Sequence, residues 1–451
     1  PARIHSIPKS HHPDGSRRPT VGAAEQQPEN HRGQLWNRAA LLIHQTLFRI
    51  AWIFKTESVI MPAFLDTISE SGLIRGALPL LNRAGQSLAP LLLAQHLSQA
   101  PLKKLWLSRT TFLMGAPFLF LSACIWLGQA RLPPWFAGIF LTAYVIFFCM
   151  HGINEMTAST VLGKLIVANQ RGRLQAAAST LGTCAAVTLA LLLLSRWLQQ
   201  PGQAPFQQIF GFVGTMMMLA GISSRLLREA PDQPTHTASR SVSTAFLSTW
   251  QLLRQDPVLR RLCLVAVLFI FSQTIFPHYQ SIGLARVGRS RTVLMHWVVA
   301  QHIGAACFSA ASGFLADRTG VRAALRLLLP CAACAPLLAA ALARYAPPHW
   351  YWITFFWIGL VPVTLRMQVN YAIEITGRQR HPEYISTLNL CMALPFLASP
   401  LIGGLVDWVG HELPFFAVSV IVGSGAALTW TMTEPRSQNS ASPDNTATTS
   451  T

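Results

Sequence analysis

Long apolar stretches separated by short polar connections dominate the chain. Twelve of them reach the roughly 20 residues a helix needs to cross a bilayer. The first six are Ala39–Leu65, Leu73–Leu97, Leu105–Gly128, Pro134–Ile166, Ala176–Leu198 and Pro205–Leu227. The second six are Val258–Ile282, Val293–Leu315, Ala323–Ala343, His349–Glu374, Tyr384–Trp408 and Leu413–Met432. The pattern predicts an all-α integral membrane protein of about 12 transmembrane helices. It divides into a polar N-tail (1–38), a first six-helix bundle (39–227), a linker (228–257), a second bundle (258–432) and a polar C-tail (433–451). Both tails are too polar to build a core and are expected to be disordered. The first residue is proline, and the apolar stretch at Ala39 is too long for a signal peptide.

Composition sharpens this picture. The chain of 451 residues is 51% hydrophobic and only 12% charged, against about 25% charged for soluble proteins. The formal net charge of +18 raises the question of nucleic acid. The arginines, however, sit at the ends of apolar stretches and line no single face, which is the pattern of charge-directed membrane insertion and not of a nucleic-acid partner. One set of connections carries Lys103 and Lys104, Arg171 and Arg173, Arg225 and Arg228, Arg318 and Arg322, and Arg378 and Arg380. The opposite set is nearly free of basic residues except around Arg286, Arg289 and Arg291. This places both termini and the linker in the cytoplasm, with a bacterial inner membrane as the expected location. The eight cysteines all lie in apolar runs and read as small helix residues. Neither Cys331 with Cys334 nor the histidines of the N-tail (His5, His11, His12, His31) makes a persuasive metal set, so no metal or cofactor is expected. There is no phosphate-binding glycine loop, which removes ATP as the driving force.

The segment Gly313-Phe-Leu-Ala-Asp317-Arg318-Thr-Gly320-Val-Arg322 joins two apolar stretches. Its order, G-x-L-A-D-R-x-G-x-R, resembles the loop signature of the major facilitator superfamily of secondary transporters. A weak internal repeat agrees: Arg171 and Arg173 precede Ser179-Thr180-Leu181 as Arg378 and Arg380 precede Ser386-Thr387-Leu388. The resemblance covers about Ala39 to Met432 and implies two pseudo-symmetric six-helix bundles that rock about a midplane site. It implies a cytoplasmic gate role for Gly313, Asp317, Arg318, Gly320 and Arg322. Gly313 is expected to let helices approach, and Gly320 to allow the turn. The first-half copy, Leu93-Ala94-Gln95-His96, lacks the acid, the arginine and the glycines, so the latch there should be built differently. The fifth stretch also lacks the Gly/Pro pattern of many drug–proton antiporters in the family.

Charged side chains inside a membrane normally face a cavity or a partner. Helical spacing places Gln45, Arg49, Trp52 and Thr56 on one face of the first stretch, with Glu57 nearby. His151, Glu155 and Ser159 form a stripe on the fourth, and Arg366, Asn370 and Glu374 a stripe on the tenth. The second adds Asn82, Arg83 and Gln86, and the eighth His296, Gln301 and His302. The seventh offers only Gln273. Arg49, Trp52, Glu57, Arg83, His151, Glu155, His302, Arg366 and Asn370 are therefore the candidate solute and proton pathway. Lys55 and Glu57 read as nearer the outer end, where they would snorkel. Arg49, Lys55, Arg83 and Arg366 outnumber Glu57 and Glu155, which favours an anionic or zwitterionic small solute. Glu155 or Glu57, isolated in apolar helix, is the candidate carrier of a coupling proton. Competing readings are a multidrug–proton antiporter, a membrane-embedded lipid-modifying enzyme and a non-transporting receptor. A monomer in the lipid bilayer is expected.

Overall fold

The computed structural model describes residues 22–128, 132–232, 242–287, 290–377 and 380–434. His5, His11 and His12 lie outside these residues, as do Arg289 and Arg378 and nearly all of the C-tail. All regular structure among the described residues is helical. The chain runs through α1 (Gly22–Phe54), α2 (Ile60–Leu65), α3 (Gly72–Gln99), α4 (Lys103–Gly128), α5 (Phe136–Leu165), α6 (Ala168–Leu189), α7 (Ser195–Trp197) and α8 (Ala204–Arg225). It continues through α9 (Val242–Gln255), α10 (Pro257–Thr274), α11 (Phe276–Arg286), α12 (Val293–Thr319), α13 (Val321–Tyr345), α14 (Trp352–Ile358), α15 (Leu360–Glu374), α16 (His381–Ala393), α17 (Ser399–Val409) and α18 (Glu412–Leu428).

Ten of the described helical stretches are long and apolar enough to cross a membrane. The first two expected spans fall outside that number for a chemical reason. α1 carries Arg38, His44, Gln45 and Arg49, and α3 carries Arg75, Asn82, Arg83 and Gln86. Both still pack as members of the bundle: α1 lies against α6 and α8, and α3 against α5. Hydrocarbon gives helices no hydrophobic reason to associate, so close side-chain fit must hold them. In the first group that fit comes from edge-on phenylalanines such as Phe64 and Phe210, whose rings are 4.9 Å apart. In the second group Trp297 stacks on Phe355 at 4.7 Å.

The structure departs from the sequence reading in several places. α1 begins at Gly22, so its first turns occupy part of the stretch read as a disordered tail. The first span is not one helix. It stops at Phe54 and resumes at Ile60. The fifth span leaves α6 through a π turn at Ala190–Leu194. The polar linker contains α9, and Asp256 behind it caps α10 by accepting from the Val258 and Leu259 amides. The tenth span is interrupted at Gly359, just before Pro362, and the eleventh passes through a 3-10 segment that contains Pro395. Proline lacks the amide that would continue the helix ladder, which favours a break at these two places, although α3, α4 and α13 continue through their internal prolines.

Candidate functional site

The first span's break builds a connected polar cluster. Lys55 lies there with its side chain only 1% exposed, its ammonium 2.5 Å from the Glu57 carboxylate. That ammonium stands 3.5 Å above the centre of the Trp52 ring, with Phe148 at 4.7 Å and Phe147 at 4.8 Å. Glu57 also accepts from the Asn82 amide, and Asn82 in turn accepts from Gln86. The His151 ring lies 4.6 Å from Trp52 and closes the wall. The expectation that Lys55 and Glu57 snorkel is therefore wrong: the aromatic rings of α5 hold the lysine inside. Lys55 covers one face of Trp52, which remains half-buried.

One turn and a half towards the chain termini, Arg49 projects from the same helix and reaches Thr183 of α6 at 3.4 Å. Gly182 permits this approach, because a Cβ there would lie 2.7 Å from the Arg49 Cβ. Arg49 lies within electrostatic reach of Arg366 and His302, which come from the second group. Arg366 is exposed, and the bond described for it is a long one to the Pro362 carbonyl of its own helix, at 3.4 Å. Neither arginine meets a carboxylate within ion-pair distance among the described residues. His302 bonds the Val298 carbonyl at 2.8 Å. Arg83 donates to the Asn389 carbonyl across the groups at 2.8 Å, and Glu155 is its electrostatic neighbour. Glu155, within α5, and Asn370, in the last turns of α15, are exposed. With Lys55 and Glu57 neutralising each other, three arginines (Arg49, Arg83, Arg366) and one carboxylate (Glu155) remain as candidates for a central space.

The seventh span contributes more than Gln273. His278 and Gln280 of α11 are wholly buried, and their side-chain polar atoms have no hydrogen-bond partner among the described residues.

The two helix groups meet at the end of the bundle opposite the chain termini. There the Gly72 amide donates to Asp407 at 2.6 Å, and Ser399 donates to the Gly76 carbonyl at 2.7 Å. Gly403 has no room for a side chain, because a Cβ would collide with the Gly72 carbonyl. Ser58, within the broken first span, donates to Gln301 of α12 at 2.5 Å. Arg291 donates to the Gly202 carbonyl and lies 5.4 Å over the Phe206 ring. Beside these contacts is a recess of about 1140 Å³ lined by Asp66, Arg75, Arg286, Arg344, Asp407 and Glu412 among others.

The loop motif lies at the other end. Gly320 has φ +98°, a conformation that residues with a Cβ rarely adopt, and it separates α12 from α13. Arg322 pairs with Glu434 at 3.6 Å and donates to the Met432 carbonyl at 2.9 Å, which ties the motif to the end of the last span. Arg318 lies 4.0 Å over Phe314. Gly313 does not serve close packing: nothing lies within 4 Å of where its Cβ would be. Lys164 pairs with Glu229 and Asp232, each at 2.8 Å, at this same end.

Sequence reasoning missed Asp407, the Arg75–Asp66 pair at 2.7 Å and the role of Arg291. Asp407 is a single acid in an otherwise apolar stretch, which is a readable signal. Arg291 belonged to the connection that broke the charge pattern, and that exception marks a contact between groups. Ser58 and Gln301 carry no such signal.

The model of the Major Facilitator Superfamily matches residues 108–370, more than half of the chain, and the protein belongs to that superfamily. Solved structures agree on the fold. A mutant of the nucleoside transporter NupG superposes with a TM-score of 0.68 at 12% identity, covering 88% of this chain and 100% of its own. A D-xylose–proton symporter gives 0.66 at 13% identity, covering 88% and 98%. The E. coli fucose:proton symporter FucP, as a variant, gives 0.57 at 15% identity, covering 89% and 100%. No curated protein sequence matches the chain. The protein is thus a multi-pass membrane protein of transporter type and not an enzyme.

Proposed function

We propose that this protein moves a small anionic or zwitterionic solute across the membrane by alternating access, coupled to protons. The observation that carries the reading is the electrostatic coupling of Arg49 and Arg366. They come from different helix groups, and neither pairs with a carboxylate among the described residues. Uncompensated charge among membrane helices is costly. A solute anion that reaches both would remove that cost and join the two groups at once. His302, Thr183 and Asn370 supply further polar contacts.

Glu155 is the proposed proton carrier, since Glu57 is already engaged by Lys55. The same engagement weighs against a multidrug antiporter that binds cations at Glu57. The two bundles, 39–227 and 258–432, are the proposed moving bodies. The basic connections favour a cytoplasmic location for the end that bears the termini and the Gly313–Arg322 motif. With the groups joined at the far end, the conformation reads as inward-facing, in a bacterial inner membrane.

The test is a thermal-shift screen of the purified protein with succinate, inorganic phosphate, glycine, glucose and benzyltrimethylammonium. A ligand at ten times its Kd adds about 1.4 kcal/mol. We expect stabilisation by an anion or zwitterion that Arg49→Ala or Arg366→Ala abolishes. Stabilisation only by the organic cation would reverse the assignment. For any solute that is transported, Glu155→Gln should remove the pH dependence of uptake, and an unchanged pH profile would rule out Glu155 as the carrier.

A further inference from the structure

The cluster around Lys55 has the chemistry of a ligand site. An ammonium group sits against three aromatic faces, with a carboxylate at 2.5 Å. Aromatic faces attract cations through the ring quadrupole, and the attraction grows when water is excluded. The carboxylate is itself held in place by Asn82 and, through it, by Gln86. The Glu57 side chain remains 24% exposed, so the pocket is open on one side.

The backbone shows that the arrangement is built for this pair. Residues two apart on a helix point away from each other. Lys55 and Glu57 meet only because α1 has ended at Phe54 and α2 has not yet begun at Ile60. The same unwound turn places Ser58 against Gln301 of the second group.

We propose that Trp52, Phe147, Phe148 and Glu57 form a binding site for a primary alkylammonium, occupied by the chain's own Lys55. Lys55 is then a specificity-determining residue. It denies Glu57 to cationic solutes and leaves the arginines of the central space to select anions. This rests on the reading of that space as the solute site. It adds that a cation site exists beside it and is closed from within.

The prediction is chemical rescue. Lys55→Ala should leave an ammonium-sized hole with an unpaired carboxylate, lowering the midpoint of thermal unfolding. n-Propylammonium, which reproduces the side chain beyond Cβ, should restore the midpoint in a saturable way. n-Propanol and tetrapropylammonium should not, because one lacks the charge and the other is too large. Removing the carboxylate as well, in Lys55→Ala with Glu57→Gln, should abolish the rescue. Equal effects of propanol and propylammonium, or no rescue, would overturn the proposal.

If Lys55→Ala does not fold, Lys55→Met, Glu57→Gln and their double variant give a second route. The double variant should be more stable than the sum of the two losses predicts, and strict additivity would overturn the pairing. Anion stabilisation that depends on Arg366, measured in the same variants, separates the two readings. It persists if the central site is right and the ammonium site wrong.

Discussion

At the residue scale, single side chains and single glycines carry most of the specificity. Gly320 is held at φ +98° between α12 and α13, and the carboxylate of Glu434 fills the space a Cβ would need. Gly320→Ala should therefore cost about 1–3 kcal/mol, read as a lowered unfolding midpoint. An unchanged midpoint would mean that the turn relaxes freely. Gly313, nine residues before Arg322, has nothing within 4 Å of where a Cβ would sit and should tolerate alanine. Glu57→Gln alone leaves the buried Lys55 ammonium without its counter-charge and should cost about 3 kcal/mol. The polar residues themselves were legible in the sequence, since charge in an apolar stretch stands out. Their partners were not. Lys55 is caged by Phe147 and Phe148 from a distant helix, and nothing in the local pattern around residue 55 announces them.

At the element scale, hydrophobic runs located the spans because a bilayer demands a minimum length of apolar helix. Proline alone does not mark the interruptions: breaks fall beside Pro362 and Pro395, but α3, α4 and α13 run through Pro79, Pro90, Pro117, Pro330 and Pro336. The break at Lys55–Val59 has tertiary partners, the bond from Ser58 to Gln301 and the α5 rings around Lys55, which the local sequence does not announce. The packing of α3 against α17 shows what such contacts demand. Gly72, Gly76 and Gly403 bring backbones together, and Asp407 caps the start of α3 from the other group. Gly403→Leu would force these helices apart. It should cost about 1–3 kcal/mol through overpacking and raise hydrogen exchange in residues 69–76. Unchanged exchange there would show that α3 and α17 separate without loss.

At the scale of the whole molecule, the contacts fall into a pattern that suits alternating access. Gly72 with Asp407, Ser399 with Gly76, and Arg291 with Gly202 join the groups at one end. Arg322 and Lys164, at the other end, pair within their own groups. Arg291→Ala should loosen the joined end, seen as faster hydrogen exchange at 203–206, while solute binding through Arg49 is kept. Slower or unaltered exchange would assign Arg291 to surface charge alone.

The most direct test of the account is counterflow in proteoliposomes, using labelled succinate, phosphate, glycine, glucose and a quaternary ammonium as separate probes. The account predicts exchange of an anion or zwitterion by the wild-type protein and loss of that exchange in Arg366→Ala. Exchange of the quaternary ammonium alone, or exchange of an anion that survives in Arg49→Ala and Arg366→Ala, would contradict it.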